Sequence, residues 1–256
     1  MMFNLIRNEH IKIFYKKGNQ VLVLIFAIGC LLLALMTKNI LSSSGDNESF
    51  ADYFVFSTNF LFLLQFVSVI IAGSIVANEY DWGTIKFLLI RPAQRSKVLL
   101  SKYLTVLLVG VYLLVGYAIF AFLYGFVFFG ISDFAGDFDN VRNIFLRYMT
   151  TFVEISVMST FAFTLSTVFR SSVIATGTSI FLILTGRTFV EVLAHYQISW
   201  GKYILFANTN LTQFFSGNRP LFREMTFTGS IITLCIYLGV FIAASWYAFT
   251  KRDVAN

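Results

Sequence analysis

Six long apolar stretches constrain the fold of this chain more than any other feature. Their approximate bounds are 20–36, 54–77, 98–120, 148–169, 173–190 and 227–249. A helix needs about 20 mostly apolar residues to cross the hydrocarbon core of a bilayer. Because backbone groups must be hydrogen-bonded within that core, each stretch predicts a membrane-spanning helix. The expected fold class is an all-α integral membrane protein with six transmembrane helices.

The composition supports the same class. Of the 256 residues, 57% are hydrophobic and only 12% are charged, whereas soluble domains carry about 25% charged residues. No linker rich in Pro, Gly or Ser divides the chain, so residues 1–256 are predicted to form a single transmembrane domain. The third stretch is too long for a perpendicular span, which predicts a tilt or a break near Gly125. A signal sequence is an alternative for the first stretch, because basic residues precede it.

The basic residues favour one orientation. With the N-terminus inside, the cytoplasmic segments hold 12 of the 19 Lys and Arg residues and the outer segments hold 7. The cytoplasmic segments are residues 1–19, residues 78–102, the turn at Arg170 and the C-terminal tail. Short cytoplasmic loops are enriched in Lys and Arg. Both termini are therefore expected in the cytoplasm. The net charge of +6 is then explained by topology and anionic lipid, with no nucleic acid required.

Two segments outside the spans are predicted to lie on the membrane surface. In residues 1–19, Phe3, Ile6, Ile13 and Phe14 share one helical face while Glu9 and the basic residues lie elsewhere, which is typical of an interfacial helix. A positively charged leader is the alternative. The aromatic segment 191–225 is expected to fold back as short helices, either as an outer gate or as a plain cap.

Catalytic and metal-binding patterns are absent from the sequence. There is no G-x-x-x-x-G-K-[ST] motif for ATP, no nucleophile motif, and His10 and His195 belong to no cluster with metal-ligand spacing. The chain is thus predicted not to be an enzyme and to bind no metal or cofactor itself. Glu154 is the main charge inside a span, so it is a candidate for the substrate pathway. A Glu facing the outer end, paired with Arg147, is the structural alternative.

The densest polar signal lies between the second and third stretches, in "NEYDWGTIKFLLIRPAQRSKVLLSK" from Asn78 to Lys102. Trp82, Ile85 and the pair Leu88 and Leu89 have spacings that place them on one helical face. Pro92 ends that helix, because the residue before a proline disfavours helical geometry. The pattern predicts a short amphipathic helix at the membrane surface, followed by a turn and a basic anchor.

This loop resembles the cytoplasmic loop of ABC-2 type permeases, which are six-span membrane subunits of ATP-binding cassette exporters. The family pattern runs from an acid and an aromatic residue through Gly-Thr and an apolar pair to Arg-Pro and a basic residue. The matching residues here are Glu79, Tyr80, Gly83, Thr84, Leu88, Leu89, Arg91, Pro92 and Arg95. "FRSSVIATG", which contains Arg170, Ser171 and Ser172, also resembles the turn before the family's fifth span.

The resemblance implies a coupling role for this loop. Two copies of a soluble ATPase would hold ATP and Mg²⁺, and a second permease subunit, identical or related, would complete the pathway. Glu79 and Asp81 would face the ATPase or cap the coupling helix. Tyr80 and Trp82 would anchor it, and Gly83 would allow close backbone approach. Arg91 and Arg95 would pair with acids or with lipid phosphate.

The resemblance leaves the substrate less defined. Small permeases of this family resemble exporters of antimicrobial peptides, lantibiotics, drugs, sodium or amphipathic toxin peptides such as phenol-soluble modulins. The Phe-, Ile-, Asn- and Lys-rich composition hints at a low-GC Gram-positive bacterium. The expected function is export of an amphipathic peptide across the bacterial cell membrane. The alternatives are an ion- or proton-coupled carrier and a membrane sensor or immunity protein that binds a peptide without moving it.

Overall fold

The fold is a bundle of six long helices. The computed structural model describes residues 2–44, 50–85, 94–130, 138–215 and 219–251, apart from the side chains of 40–44 and 138–140. The long helices are span 1 (Lys17–Ser44), span 2 (Phe50–Ser57 and Leu63–Ile75, joined through a 3₁₀ turn at Thr58–Phe60), span 3 (Arg95–Phe129), span 4 (Phe138–Phe169), span 5 (Ser172–His195) and span 6 (Phe227–Lys251). All six are long and apolar enough to cross a membrane. The described residues contain no strand, which confirms the all-α prediction.

Span 3 is one continuous helix, so a break near Gly125 is not found. The helix covers Arg95–Phe129, about 50 Å, and exceeds the roughly 30 Å hydrocarbon core. Gly125 serves packing instead. A Cβ atom at this position would lie 2.8 Å from the ring of Phe50 and 2.9 Å from that of Tyr53. The glycine therefore lets the start of span 2 approach span 3 closely.

Span 4 lies at the centre of the bundle and packs against spans 2, 3, 5 and 6. Small polar side chains connect it to its neighbours. The hydroxyls of Ser68 and Ser159 lie 2.6 Å apart, and the Ser166 hydroxyl accepts the Ala77 N–H at 2.9 Å. Such pairs are common between membrane helices, because small residues allow close approach. Span 4 also begins earlier than its apolar stretch, since residues 138–147 extend the helix with a mixed polar sequence.

The N-terminal helix (Met2–Tyr15) packs against span 3. The expected helix is present, but its predicted faces are partly wrong. Phe3 is exposed, whereas Glu9 is buried and points into the protein. The side chains of Asn19 and Gln20 donate to the carbonyls of Ile13 and Phe14 at 2.9 and 3.1 Å. These two bonds fix the elbow between the N-terminal helix and span 1.

The segment after span 5 folds into short elements, as predicted. They are a 3₁₀ helix at Ser199–Tyr203, a helix at Leu205–Thr209 and a 3₁₀ helix at Leu211–Phe214. Val190 and Leu193 of span 5 pack with Ala207, Phe222 and Met225. This cluster attaches the short elements to the bundle as a cap over one end.

Candidate functional site

The N-terminal helix and the last residues of span 6 lie at the same end of the bundle, here called the terminal end. Arg95 at the start of span 3 donates to the Thr250 carbonyl at 3.5 Å. A short helix, Ala77–Asp81, continues span 2 at this end. Residues 78–85 and 94–102 of the first predicted loop and residues 170–172 of the second therefore lie together with both terminal segments.

The predicted amphipathic helix differs from the structure. The short helix ends at Asp81, and Gly83 follows with a φ of +68°. Trp82 is 68% exposed while Ile85 is 4% exposed, so the two do not share a face. A glycine in left-handed geometry is a common helix terminator, because other residues adopt it at a cost. No described atom beyond its chain neighbours lies within 4 Å of a Cβ built on Gly83. Glycine is therefore explained here by its left-handed φ, and its predicted close approach to a partner stays a prediction. Leu88, Leu89, Arg91 and Pro92 lie outside the described residues.

Glu79 points inward and joins a cluster of four charges, here called the charge cluster: Glu9, Lys12, Glu79 and Lys102. Lys102 Nζ lies 2.8 Å from Glu9 Oε2 and 3.2 Å from Glu79 Oε1. Lys12 Nζ lies 2.8 Å from Glu79 Oε1 and 3.5 Å from Glu9 Oε1. Lys102 also donates to the Ile75 carbonyl at 3.2 Å. The cluster joins the N-terminal helix, the short helix and span 3.

The charges of this cluster balance, and this balance permits their burial. The Lys102 side chain is 1% exposed and that of Glu9 is 9% exposed, and a buried charge is tolerated only when it is paired. Burial acts to raise the pKa of Glu79, but the Lys102 charge and hydrogen bonds from Lys12 and Thr84 outweigh it and lower that pKa to about 2. Glu79 is thus ionised, and its role here is to hold the cluster together.

Asp81 and Tyr80 connect the two loops. The Asp81 carboxylate accepts the Ser172 N–H at 3.2 Å and the Ser172 hydroxyl, which places an anion at the N-terminus of span 5. The Arg170 guanidinium lies 4.9 Å from the ring centroid of Tyr80. Arg170 adopts a φ of 56°, an uncommon conformation for a non-glycine residue. Ser171, between Arg170 and Ser172 in the chain, has extended backbone geometry and is the N-cap of span 5.

Trp82 forms the exposed part of this site. The Lys16 ammonium lies 5.5 Å from the centroid of the Trp82 ring. The neighbouring Glu79, Asp81 and Thr84 take part in the hydrogen bonds given above. Trp82 is thus an exposed aromatic side chain beside a hydrogen-bonded and ion-paired network, and Tyr15 of the N-terminal helix is also exposed at this end. Such an arrangement can receive a partner and pass movement to the helices behind it.

A second site lies at the opposite end of the bundle. A cavity of about 850 Å³ lies among spans 2, 4 and 5 and the cap. Its charged lining residues are Arg147, Glu154, Arg187, Glu191 and Arg219, and its amide lining residues are Asn59, Gln65, Asn210 and Gln213. Glu154 lies near the middle of the span 4 helix, because the helix begins at Phe138 and not at Tyr148, and accepts a hydrogen bond from Gln65. Arg187 pairs with Glu191 at 3.0 Å on the exposed face of span 5.

Residues 22–255 match the family described as "Protein of unknown function (DUF2705)". The chain belongs to this family. It is 37% identical over 243 residues to "Uncharacterized membrane protein YdbK" of Bacillus subtilis (strain 168), across 95% of this chain and 99% of that protein. It is 42% identical over 222 residues to "Uncharacterized protein YhcI" of the same organism, across 80% of this chain and 69% of that protein. With six apolar helices and a relative described as a membrane protein, this DUF2705 chain is a multi-pass membrane protein.

Sequence reasoning missed several functional residues of this DUF2705 chain. The contacts of Glu79 with its cluster were not predicted; the missed partners are Glu9, Lys12 and Lys102. The lining around Glu154 was also not predicted; the missed residues are Gln65, Arg187 and Arg219. One signal existed for Lys102. It shares a helical face with Val98, Leu99 and Val106, all buried, and a lysine among apolar neighbours at that spacing indicates a buried ion pair.

Proposed function

We propose that this chain is the permease subunit of an ATP-binding cassette exporter and that the terminal end receives a separate ATPase. The charge cluster carries this proposal, because it ties the short helix Ala77–Asp81 to the N-terminal helix and to span 3. Asp81 ties the same short helix to span 5. A displacement of Trp82 would therefore act on four elements together.

The proposed mechanism is mechanical coupling. ATP and Mg²⁺ bind to two copies of the partner ATPase, and closure of that ATPase pushes on the surface around Trp82. Buried, hydrogen-bonded charge pairs deform little without losing their partners, so the push is transmitted to the spans as a rigid-body shift. A second permease subunit, identical or related, completes the pathway. The terminal end lies in the cytoplasm of a bacterial cell, as the Lys and Arg distribution favours.

The proposed cargo is an amphipathic peptide of the antimicrobial or toxin class. The cavity at the opposite end supports this choice, since it combines charged side chains with apolar ones such as Phe62, Phe66 and Phe206. Such mixed walls suit a ligand with one polar and one apolar face.

Co-purification tests the proposal. The chain is isolated from its native membranes in mild detergent, and the soluble proteins recovered with it are identified by mass spectrometry. Trp82→Ala is compared with the unmodified chain, and Trp200→Ala, an exposed tryptophan of the cap, is the matched control. We expect an ATPase with a Walker motif to accompany the unmodified chain and Trp200→Ala. Trp82→Ala should lose about tenfold or more of it, as exposed aromatic anchors often dominate interfaces.

Two results contradict the proposal. If no ATPase accompanies the unmodified chain, the exporter function is wrong. If Trp82→Ala and Trp200→Ala retain the ATPase equally, the terminal-end surface around Trp82 is not the docking site.

An ion- or proton-coupled carrier is the second candidate, and the position of Glu154 favours it. A carboxyl group at mid-helix that faces a cavity is typical of coupling sites in carriers. In a carrier, Glu154→Gln abolishes uptake or efflux driven by an ion gradient in proteoliposomes that contain no ATPase. If an ion gradient drives no uptake or efflux by the unmodified chain in that assay, the carrier function is contradicted.

A further inference from the structure

The opposite-end cavity carries charges of both signs at two depths. Arg147 and Glu154 both line it from span 4, and their separation of seven residues corresponds to two helical turns, about 10 Å. Arg219 reaches the cavity from the cap. Arg147 and Arg219 are exposed whereas Glu154 is partly buried. The cavity therefore presents guanidinium groups at its mouth and a carboxyl group in its depth.

The two arginines are available to a ligand. Among the described residues, the guanidinium groups of Arg147 and Arg219 make no hydrogen bond or ion pair, unlike Arg187, which is paired with Glu191. Guanidinium groups bind carboxylates with two parallel hydrogen bonds. A pair of such groups at one cavity mouth is suited to an acidic group of a ligand.

The Glu154 carboxyl group below the two arginines is held in place by a hydrogen bond. Gln65 of span 2 donates to Glu154 Oε2, and this bond fixes the carboxylate on the cavity wall while its second oxygen accepts no described hydrogen bond. A carboxylate in this position attracts a basic group. It would repel a ligand with acidic groups only, such as a headgroup with a single negative charge.

The cavity walls are built before any ligand arrives. In the cap, Gln213 donates to the Ala207 carbonyl at 2.9 Å and accepts the Leu221 N–H at 3.1 Å. The ring of Phe206 packs against Gly186 so closely that a Cβ there would lie 2.5 Å from it. A preformed wall reduces the entropy lost on binding.

We propose that this cavity binds an amphipathic peptide through opposite charges, whose residues on span 4 lie two helical turns apart. The acidic group of the peptide pairs with Arg147 and Arg219, and a basic side chain pairs with Glu154. The role of this peptide as cargo rests on the proposed export function, but the binding step itself requires no ATPase.

Peptide binding to the purified chain tests this inference. The chain is placed in phosphatidylcholine nanodiscs, and fluorescence anisotropy measures binding of a leucine-rich helical peptide with a lysine two turns before its free C-terminal carboxylate. Signals from empty nanodiscs are subtracted. Two matched peptides carry a C-terminal amide or a glutamine in place of the lysine. The variants are Arg147→Gln and Glu154→Gln, and Arg142→Gln is the control, since Arg142 is an exposed residue of the same helix outside the cavity lining.

We expect amidation to weaken binding to the unmodified chain and to Arg142→Gln about tenfold, which is the effect of losing a charge-assisted hydrogen bond. Arg147→Gln should show a smaller difference between acid and amide, because only Arg219 then remains to pair with the carboxylate. Replacement of the peptide lysine should weaken binding to the unmodified chain and have no further effect on Glu154→Gln.

Three results overturn the inference: equal binding of acid and amide to the unmodified chain, equal losses in Arg142→Gln and Arg147→Gln, or displacement of the peptide by phosphatidylglycerol that depends on Arg147. The last result assigns the cavity to a lipid headgroup. None of them bears on ATPase co-purification, so failure of this inference and failure of the exporter function remain distinguishable.

Discussion

At the scale of single residues, the ammonium group of Lys102 sets the electrostatics of the terminal end. It is 1% exposed and contacts both carboxylates of the charge cluster. Without it, Glu9 and Glu79 share only Lys12, whose side chain is half exposed. The burial of the Glu9 and Glu79 carboxylates thus depends mainly on the buried Lys102 ammonium.

Replacing that cation should destabilise the protein strongly. We expect Lys102→Met to lower the free energy of unfolding by about 3 kcal/mol or more, because removal of one member of a buried pair leaves an uncompensated charge. Thermal unfolding in detergent, followed by size-exclusion chromatography, measures the change. Lys97→Met, an exposed position of the same helix, should have little effect. Adding Glu9→Met to Lys102→Met should recover part of the loss, and failure to do so contradicts the pairing.

The charge cluster should also show a defined pH dependence. A carboxyl group whose pKa is lowered in the folded state stabilises the protein above its unfolded pKa, and this contribution is lost as the pH falls through the folded value. For Glu79 these values are 4.5 and about 2. The stability difference between the unmodified chain and Glu79→Gln should therefore be full at about pH 7 and shrink below about pH 4.5. Melting curves across this range test it, with exposed Glu191→Gln as control. A difference that stays constant down to about pH 3 contradicts it.

At the scale of helices and loops, the contact between Asp81 and Ser172 connects two loops that are 91 residues apart in the chain. The carboxylate caps span 5 from another helix. Capping bonds of this type stabilise a helix end by about 1 kcal/mol.

Loss of this cap should loosen both loops. We expect Asp81→Ala to increase amide hydrogen exchange at residues 82–85 and 169–173 and to cost about 1 kcal/mol. Hydrogen-exchange mass spectrometry in nanodiscs measures the first effect. Ser172→Ala removes only the hydroxyl bond and should show a smaller change. If exchange rises at residues 82–85 alone, the two loops are not coupled.

Close packing of spans 2 and 5 depends on Gly73. A Cβ at this position would lie 2.7 Å from Thr176 Cγ2 and 3.2 Å from the Thr176 nitrogen. We expect Gly73→Ala to destabilise the protein by about 1–3 kcal/mol through overpacking. Thr176→Ser removes the nearest methyl group and should partly restore stability in the double variant. Gly116→Ala, with no atom within 4 Å, should be neutral or stabilising in the same thermal assay.

At the scale of the whole molecule, cysteine labelling tests the orientation. Tyr15 at the terminal end and Tyr196 at the cap are 78% and 72% exposed. In a background with Cys30→Ala and Cys235→Ala, a membrane-impermeant maleimide should label Tyr196→Cys in intact cells. It should label Tyr15→Cys only after permeabilisation, because Lys and Arg concentrate on the cytoplasmic side. The reverse pattern contradicts the proposed orientation.

The six spans were predictable from sequence because each is a long run of apolar residues, and hydropathy detects such runs directly. The charge cluster was not, because Glu9 and Lys102 are 93 residues apart and nothing local specifies their contact. The start of span 4 was misplaced for a different reason. Residues 138–147 form helix despite their polarity, so the apolar stretch alone began too late. The short helix ends at Asp81 because Gly83 adopts a left-handed φ, and the apolar spacing of Trp82 and Ile85 did not indicate that turn.

The charge cluster also has a consequence for biogenesis. Glu9 and Lys12 are synthesised first, but their partners Glu79 and Lys102 follow 67 and 93 residues later. Translation adds about 5–20 residues each second, so the N-terminal helix waits several seconds for its counter-charges. Until spans 2 and 3 enter the bilayer, Glu9 and Lys12 rely on each other, on solvent and on lipid headgroups for neutralisation. Docking of the N-terminal helix therefore marks the moment at which the first half of the bundle is complete.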